Sequence, residues 1–382
     1  MTPIIDITDL YHPFQDPGDN FDILSAYCMP EIDLRAVILD VTDRFRRPWF
    51  DHPAYGRMLG PREPGFIPMI QLNYLFGRNV PFASGPFASM ESAGDQMPQL
   101  SDFQAAGVDL ILDTLRQADS PLDILCFSSV RPLAVAYNRN PKLLHAKVKK
   151  IHISAGASSP DFLEWNVDLD PHAMACILRS GLPLALYPCA TENGATAYGR
   201  HNTFWQLQDL RFIADMQPGL RRYLAYVFER MERNDFLQAL DSDFPPETLE
   251  RVYAREHNVW ETAIWAQAAG RVLIRRADGG HRLIPAAEVT PLDTVLPERL
   301  RPCRIEPQDT GVFAFTLTDQ PSTTSIFERG DPYENERALR EALPALYRSF
   351  NTRPGRGSDG VMRIATHDPS TPSDMRSSAS DT

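Results

Sequence analysis

The feature that most constrains the fold is an alternation of short apolar runs with amphipathic stretches in the first half of the chain. The runs are continuous in apolar side chains, which is typical of strands buried on both faces of a parallel sheet. The stretches between them have the 3.6-residue spacing of helices with one apolar face. This pattern predicts an α/β fold, an open, doubly wound, mainly parallel sheet whose ligands bind beyond the carboxyl ends of the strands. The predicted strands are residues 4–7, 36–39, 80–83, 124–127, 151–153 and 184–187, and the predicted helices are residues 21–28, 103–117, 131–138 and 171–178.

The second half of the chain has a different pattern. Residues 207–240 and 247–269 have helical spacing. Residues 270–321 instead have strand signals, including a hairpin turn at Asp278-Gly279-Gly280. Residues 334–350 return to helical spacing. The sheet predicted from the first half is therefore followed by a β-rich addition.

The composition of residues 351–382 predicts that this segment does not fold. Ser, Asp, Gly, Pro and Thr dominate there, and apolar side chains are too few to bury the surface that folding requires. We therefore divide the chain into three parts. The predicted parts are an α/β domain over residues 1–269, a β-rich addition with a terminal helix packed on it over residues 270–350, and a disordered tail over residues 351–382.

The charge balance narrows the classes of partner. The 382 residues include 38 Lys and Arg against 50 Asp and Glu, a formal net charge of −12. A chain with this charge repels phosphate backbones and anionic lipid surfaces, so we expect no nucleic-acid partner and no membrane partner. No run approaches the roughly 18 apolar residues of a membrane span, and the first residues lack the basic region of a signal peptide. We expect a cytoplasmic protein.

Five aspartates lie in the first predicted strand or in the segment that follows it. Carboxylates crowded at the end of a parallel strand repel one another, and a hard divalent cation such as Ca²⁺, which binds oxygen ligands, offsets that repulsion. The alternative is a solvated acidic loop in which Asp19 only caps the next helix. The five residues are Asp6, Asp9, Asp16, Asp19 and Asp22.

A carboxylate and an amide two positions apart, Glu164 and Asn166, precede the helix predicted to begin at Pro171. Side chains at this spacing project to the same side of an extended segment and could hold sugar hydroxyls. The alternative is ordinary turn chemistry ahead of a helix. Spacing alone leaves both interpretations open.

Five segments in register resemble a known family. Asp16-Pro17-Gly18-Asp19, followed by PEIDLRAV at residues 30–37, resembles the opening of the inosine/uridine-preferring nucleoside hydrolase superfamily. In that family an aspartate-rich loop leads into a helix, a PEI motif and a second strand. Four further segments follow in the family's order, and together the five cover residues 1–205. The four segments are residues 77–85, 132–141, 151–157 and 164–183.

The resemblance implies a Ca²⁺-dependent hydrolase that cleaves the N-glycosidic bond of a ribonucleoside or related riboside. In the family the metal orients the ribose diol and a water, which an aspartate deprotonates before it attacks the anomeric carbon. Carried over, Asp9 is the first metal-binding carboxylate and the catalytic base, and Asp19 is the second carboxylate. Asp6 is the alternative to Asp9, because residues 10–15 are an insertion relative to the family loop. Arg131 stands where a family residue lends its backbone carbonyl to calcium.

The remaining family positions concern the substrate. Glu164 and Asn166 match the residues that hold the ribose. The family's late His-Asp motif is best matched by Trp260 and Glu261, which makes Glu261 a metal ligand and puts Trp260 in place of the leaving-group histidine. Tryptophan is not a general acid at neutral pH, although it could stack on a base; otherwise it is a core aromatic. His201 lies in the loop after a predicted strand, where it could contact the base or simply be polar surface.

These departures leave rival functions open. A non-catalytic riboside-binding protein on the same scaffold is the main alternative, because Trp260 cannot replace a general acid. A third possibility keeps the metal but changes the substrate to a modified nucleoside or another glycoside. Members of the family are commonly dimers or tetramers, so we expect a homodimer or homotetramer.

Overall fold

A nine-stranded sheet lies at the centre of the protein and confirms the predicted fold class. The structure is a computed structural model that describes residues 1–14, 16–43 and 62–352. All six strands predicted from apolar runs are present in the sheet. The strands in chain order are β1 (Thr2–Thr8), β2 (Ile32–Leu39), β3 (Phe82–Ser84), β4 (Leu122–Cys126), β5 (Val148–Ile153), β6 (Leu184–Leu186), β7 (Trp205–Leu207), β8 (His257–Val259), β9 (Arg271–Arg275), β10 (His281–Pro285), β11 (Thr294–Val295), β12 (Glu298–Pro307), β13 (Phe313–Leu317) and β14 (Thr324–Arg329).

The strand order of the central sheet indicates where a ligand would bind. The order is β13-β12-β14-β6-β5-β4-β1-β2-β3. The seven strands from β14 to β3 are parallel to one another, whereas β12 and β13 pair in the antiparallel sense. After β1 the chain builds β2 and β3 on one side and then returns to build β4 on the other. Doubly wound sheets bind ligands at such a switch point, beyond the carboxyl ends of the strands.

The helices begin where the sequence supplies caps. Asp170 accepts a hydrogen bond from the Ala173 amide at 3.0 Å, and Pro171 fills the first helical position, as predicted. Asp331 caps the last helix in the same way. The helices in chain order are α1 (Pro17–Asp22), α2 (Leu24–Cys28), α3 (Phe66–Phe76), α4 (Asp102–Gln117), α5 (Arg131–Arg139), α6 (Pro141–Lys147), α7 (Trp165–Leu169), α8 (Pro171–Arg179), α9 (Pro218–Phe228), α10 (Pro246–Tyr253), α11 (Thr262–Ala268) and α12 (Pro332–Arg348), with short 3₁₀ helices at Arg211–Asp215, Gln238–Leu240 and Ala286–Glu288.

Two apolar clusters form the core, one on each face of the sheet. On β1, Ile4 packs in one cluster, and Ile5 and Ile7 pack in the other. The two-residue period of a strand therefore puts Asp6 on the Ile4 face. That cluster also contains Phe21 of α1 and residues of α11, so the Asp6 carboxyl is buried beneath those two helices.

Parts of the second half differ from the sequence prediction. Residues 207–240 are not continuously helical, because β7 and β8 pair with each other and Pro218 begins a separate helix. The pairing of β8 also interrupts the helix predicted over residues 247–269. The hairpin predicted around Gly279 is confirmed as β9 and β10. The prediction missed β14, which lies beyond residue 321 and pairs in parallel with β6.

The C-terminal strands contribute to two sheets. β9, β10 and β11 form a separate three-stranded sheet, whereas β12, β13 and β14 extend the central one. The proposed division of the chain at residue 270 stays a prediction. Gln15 of the predicted insertion and all but the first two residues of the predicted tail over 351–382 lie outside the described residues. Within the described residues, none of the helices combines the length and the apolar character of a membrane span.

Candidate active site

The carboxyl ends of three neighbouring strands bring polar side chains to the switch point. Asp9 directly follows β1, and Asp40 directly follows β2. The loop after β4 supplies Ser129, whose hydroxyl donates a hydrogen bond to Asp40 Oδ2 at 2.6 Å. Asp9 and Asp40 are 7% and 3% exposed, so this group of side chains is largely removed from solvent.

The helix α1 supplies the carboxyl groups of Asp19 and Asp22, and the residue that caps this helix is also an aspartate. Asp16 begins this helix by accepting a hydrogen bond from the Gly18 amide at 2.8 Å. Asp19 and Asp22 are three residues apart, so they lie on one face of the helix. Glu261 directly precedes α11, and its carboxyl group contacts that of Asp22. The structure therefore brings Asp9, Asp19 and Glu261, which the resemblance associates, into one acidic cluster.

Burial and mutual repulsion keep protons on this acidic cluster. Burial, followed by the charges of Asp40 and Asp16, raises the pKa of Asp9 well above its usual range. Burial, and then the charges of Asp9 and Asp16, do the same to the pKa of Asp19. Burial alone raises the pKa of Asp6 to about 8. These carboxyl groups are therefore stronger bases than ordinary surface acids.

Several carboxyl oxygens of the site have no hydrogen-bond partner among the described residues. They are both oxygens of Asp6, Oδ2 of Asp22 and Oδ1 of Asp40. A buried polar atom without a partner is costly, and carboxylate oxygens are ligands that Ca²⁺ prefers. The chemistry of this donor set therefore fits a cation.

The arrangement of these donors is not that of an assembled metal site. Within residues 1–14, 16–43 and 62–352, no group of three or more His, Cys, Asp or Glu side chains has a geometry that could hold a metal ion. The carboxyl groups face one another in pairs, Asp9 with Asp19 and Asp22 with Glu261. Two carboxyl groups in such contact share a proton, so a cation that binds there has to separate the pairs and displace protons.

Arg131, the first residue of α5, is fully buried beside this cluster. Its Nε donates to Asp170 Oδ2 at 2.7 Å, and its Nη1 lies 3.7 Å from Asp40 Oδ1. The guanidinium also donates to the carbonyl oxygens of Pro86 at 2.9 Å and Leu169 at 3.2 Å. The family resemblance concerned only the backbone carbonyl of Arg131. Its side chain joins the loops after β2 and β3 to the start of α8.

Asp40 is a site residue that the sequence prediction missed. Its two oxygens differ, because Ser129 occupies Oδ2 while Oδ1 accepts no hydrogen bond from the described residues. Burial raises the pKa of Asp40, and the positive charge of Arg131 opposes that rise. A signal was available, since Asp40 is an acidic residue directly after the run predicted as the second strand.

Glu164 and Asn166 are both engaged with backbone groups. Glu164 caps α7 by accepting hydrogen bonds from the Asn166 and Val167 amides, and it accepts a third from Gly156 at 2.8 Å. Burial raises the pKa of Glu164 to about 7. The side-chain amide of Asn166 donates to the Ser154 carbonyl at 2.9 Å. Both residues lie beyond the carboxyl end of β5, and their contacts are those of the turn-chemistry alternative.

Trp260 contacts the first half of the loop that follows β6, whereas His201 lies within the second half of that loop. The indole N–H of Trp260 donates to the carbonyl oxygens of Cys189 at 3.0 Å and Ala195 at 3.1 Å. Its backbone amide donates to Glu261 at 3.0 Å, which connects Trp260 to the acidic cluster. His201 instead contacts the Phe327 carbonyl at 3.0 Å, on β14. Trp260 thus adjoins the acidic cluster, whereas His201 contacts the C-terminal strands.

Comparisons with known proteins find relatives in sequence and in fold. No protein-family model matches the chain. Its sequence is 29% identical over 196 residues to an uncharacterized protein of Schizosaccharomyces pombe, and 25% identical over 184 residues to a pyrimidine-specific ribonucleoside hydrolase, RihA, of Escherichia coli. Each match covers 45% of this chain but only 58% and 57% of the two relatives. The chain thus spans less than two thirds of their length.

A solved structure extends the likeness to most of the chain. The plant nucleoside hydrolase PpNRh1 matches 90% of this chain and 99% of its own, with a TM-score of 0.50 and 16% sequence identity. At that identity the likeness shows the fold alone. The chain therefore has the fold of the nucleoside hydrolases, and over 45% of its length its sequence is similar to one of them, RihA.

Proposed function

We propose that the protein is a calcium-dependent hydrolase that cleaves the N-glycosidic bond of a ribonucleoside or a related riboside. The observation that carries this proposal is the acidic cluster at the switch point of the sheet. Burial raises the pKa values of its carboxyl groups, and four of the oxygen atoms at the site lack a partner among the described residues. Arg131 lies 3.7 Å from Asp40, but no ion pair joins Asp6, Asp9, Asp19 or Asp22 to a basic side chain of the described residues. Buried acids without a counter-charge destabilise a fold, which favours a cationic ligand or a cationic transition state at this place.

Calcium would be held by Asp9, Asp19 and Glu261 with the backbone carbonyl of Arg131, and Asp22 is a further donor in the same cluster. The partnerless oxygen of Asp22 supports this assignment, because Ca²⁺ takes six to eight oxygen ligands. When bound, the ion supplies a positive charge that orients sugar hydroxyls and acidifies a water molecule.

The chain's own acids supply the rest of the proposed chemistry. Asp9 is the proposed general base, which takes a proton from the attacking water once its own carboxyl group has lost a proton to the bulk or to the binding cation; burial raises its pKa, which makes its carboxylate a stronger proton acceptor. Neighbouring carboxyl groups that are ionised would stabilise the positive charge that develops on the sugar ring as the base departs. This hydrolysis needs no redox partner.

The proposed sugar contacts are those of Glu164 and Asn166. The carboxyl group of Glu164 already accepts three backbone hydrogen bonds, so a sugar hydroxyl would share an oxygen with them. Trp260 and His201 are the proposed contacts for the leaving group, of which Trp260 is the one joined to the acidic cluster through Glu261.

One observation favours a non-catalytic riboside-binding protein as the second candidate. The indole N–H of Trp260 is committed to two backbone carbonyls. Indole has no proton to give to a departing base at neutral pH, so the described residues around Trp260 offer stacking rather than acid catalysis. A riboside would then bind without being cleaved beside the acidic cluster, Glu164, Asn166 and Trp260, and we name this proposed binding place the riboside pocket.

A nucleoside panel distinguishes the two candidates. Inosine, uridine, adenosine and cytidine are incubated with the protein in excess CaCl₂ or excess chelator, and free base and ribose are quantified by chromatography. Calcium-dependent release of both products supports the hydrolase. Thermal stabilisation by a nucleoside without product release supports the binding protein, and the absence of both effects contradicts the two proposals together.

The cellular location, the oligomeric state and the ligand of the protein are also proposals. We propose a cytoplasmic homodimer or homotetramer with a small-molecule nucleoside or riboside as its ligand. Sedimentation velocity at several concentrations measures the assembly, and a monomer at all concentrations would contradict it.

A further inference from the structure

Arg329 is a buried arginine at the ligand-binding end of the sheet. It is the last residue of β14 and is 1% exposed. Because β14 runs parallel to β6, both strands end at the same edge, where the loop of residues 187–204 leaves β6. Arg329 therefore lies behind this loop, which we name the β6–β7 loop.

The guanidinium of Arg329 donates to the loop at three points. Its Nε donates to the Gly199 carbonyl at 3.0 Å, its Nη1 to the Phe204 carbonyl at 2.9 Å, and its Nη2 to Asn202 Oδ1 at 3.1 Å. Its backbone amide donates to the Arg200 carbonyl at 2.9 Å. One side chain and its own backbone thus fix four residues of the second half of the loop.

The guanidinium of Arg329 is engaged almost entirely with this loop. No carboxylate of the described residues forms an ion pair with it, and its remaining hydrogen bond is to Asn335 Oδ1 at 3.2 Å. Burial lowers the pKa of Arg329 to about 10. A guanidinium presents five donors in a fixed plane, so it can hold several backbone carbonyls at once, which the compact ammonium of lysine cannot do.

The other half of the same loop contacts the candidate active site. Cys189 and Ala195 accept the two hydrogen bonds of the Trp260 indole. The amide of Cys189 donates to the carbonyl of Gly156, whose own amide donates to Glu164. The ring centroids of Trp260 and Phe204 lie 5.4 Å apart. Because Phe204 is the last residue of the loop, Trp260 contacts both halves of the loop.

We propose that Arg329 is a positioning residue that fixes the β6–β7 loop and, through it, the indole of Trp260 at the riboside pocket. The inference rests on the proposed function only for the identity of the ligand. Arg329 touches no reacting atom, and its effect reaches the pocket through the carbonyl groups of the loop. The C-terminal strands thereby complete a site whose acids come from the first half of the chain and from Glu261.

Hydrogen exchange tests the positioning step without any ligand. Arg329→Gln removes the charge and the fork of donors, and we expect faster amide exchange across residues 187–204 than in the wild type. Arg299→Gln is the control, because it makes the same chemical change at an arginine whose own hydrogen bonds go to Glu328 on β14 and not to the loop. The contact of Glu328 with Arg200 of the loop, at 3.9 Å, stays in place in this variant. Unchanged exchange in the loop of Arg329→Gln, or equal acceleration in both variants, overturns the proposal.

Ribose binding tests the connection to the pocket. Titration calorimetry with D-ribose in excess CaCl₂ should give an affinity about tenfold weaker for Arg329→Gln than for Arg299→Gln, since small displacements of positioning groups have effects of tenfold or more. If the wild type hydrolyses a nucleoside, KM should rise by the same factor while kcat changes by less. A loosened loop with unchanged ribose affinity overturns the link to the pocket.

A second variant allows the proposal to be tested even if Arg329→Gln does not fold. Asn202→Ala leaves the arginine in place and removes one of its acceptors on the loop side. It also removes the hydrogen bond that Asn202 accepts from the Gly199 amide at 2.8 Å and the one that it donates to the Ala197 carbonyl at 2.8 Å. It should accelerate exchange in the same residues to a smaller degree, and no change there counts against the proposal. If wild-type protein neither binds ribose nor cleaves a nucleoside, the proposed function fails, while the exchange result still decides the role of Arg329.

Discussion

Asp6 at the switch point and Glu328 on the C-terminal strand β14 have opposite surroundings. Near the C-terminus, Glu328 accepts from Arg299 at 2.7 Å and lies near Arg301 and Arg200 at 3.5 and 3.9 Å. Burial alone would raise the pKa of Glu328, but these arginines outweigh it and lower the pKa. At the switch point, Asp6 has no partner among the described residues, and burial raises its pKa to about 8.

The contrast separates acids that stabilise the fold from acids available to a ligand. Where arginines surround a carboxylate, the charge is compensated by the protein itself and no ligand is needed. Around Asp6 the described residues offer no such arginine, so a cation has to come from outside or a proton has to stay bound. Five substitutions or ligand experiments test this contrast.

The largest effect is expected from Asp9→Asn. Loss of a general base and proposed metal ligand should lower the hydrolysis rate by a factor of about 10²–10⁴. Initial rates on the best nucleoside of the panel measure it. Glu328→Gln also replaces a carboxylate with an amide, but at a residue on β14 that arginines surround, and it should keep the wild-type hydrolysis rate. Equal rates for wild type and Asp9→Asn would remove Asp9 from the mechanism.

Arg131→Met should cause the largest loss of stability. The substitution leaves Asp170 and Asp40 buried without their shared cation, and removal of one partner from such a buried arrangement costs about 3–5 kcal/mol. The backbone carbonyl proposed for calcium stays in place. Urea unfolding of both proteins gives the difference, and a loss below about 1 kcal/mol would mean that the buried guanidinium is dispensable.

Glu164 predicts a pH dependence of stability. Its pKa is about 7 in the folded protein against an ordinary value of 4.5, so the folded state keeps a proton that the unfolded state loses. The stability contributed by Glu164 is therefore fully present below pH 4.5 and is lost as the pH rises to about 7, by a total on the order of 3 kcal/mol. Glu164→Gln should show a smaller fall across this window in unfolding experiments. Parallel pH profiles for the two proteins would contradict the prediction.

Calcium should stabilise the folded protein. A ligand at about one hundred times its dissociation constant adds about 2.7 kcal/mol to the free energy of unfolding, provided that it binds only the folded state. Thermal unfolding with CaCl₂ and with chelator measures the shift, and Asp19→Asn and Glu261→Gln should reduce it. An equal shift in the wild type and both variants would place the ion elsewhere.

The smallest effect is expected from Glu328→Gln. Its arginine partners are largely exposed to solvent, and ion pairs of that kind contribute about 0–1 kcal/mol. The variant should unfold within about 1 kcal/mol of the wild type and keep its calcium response. A lost calcium response would show that the two acidic regions are not separate.

Periodicity predicted the first half of the fold better than the second. Continuous apolar runs marked all six strands from β1 to β6, because strands buried on both faces need no alternation. The strand β14 was missed, since its pairing partner β6 lies about 140 residues earlier and nothing local marks that contact. The three-residue strands β7 and β8 were likewise hidden inside or beside stretches with helical spacing.

The candidate site was predictable only where the acids are close in sequence. The crowding of Asp9, Asp19 and Asp22 was visible in the chain, and the resemblance associated Glu261 with them. The ion pair between Arg131 and Asp170 was not visible, because 39 positions separate the two residues and the family comparison concerned only a carbonyl. The roles of Asp9, Asp19, Glu164, Asn166, His201, Trp260 and Glu261 stay predictions.

The position of β14 has a consequence for how the protein is made. Until residues 324–329 leave the ribosome, β6 is an exposed sheet edge with unpaired backbone groups, although every other parallel strand of the central sheet has already been synthesised. Exposed edges of this kind promote aggregation, and pairings between distant residues form slowly. Nascent chains that stall shortly before Arg329 should therefore depend on chaperones far more than chains that stall just after it.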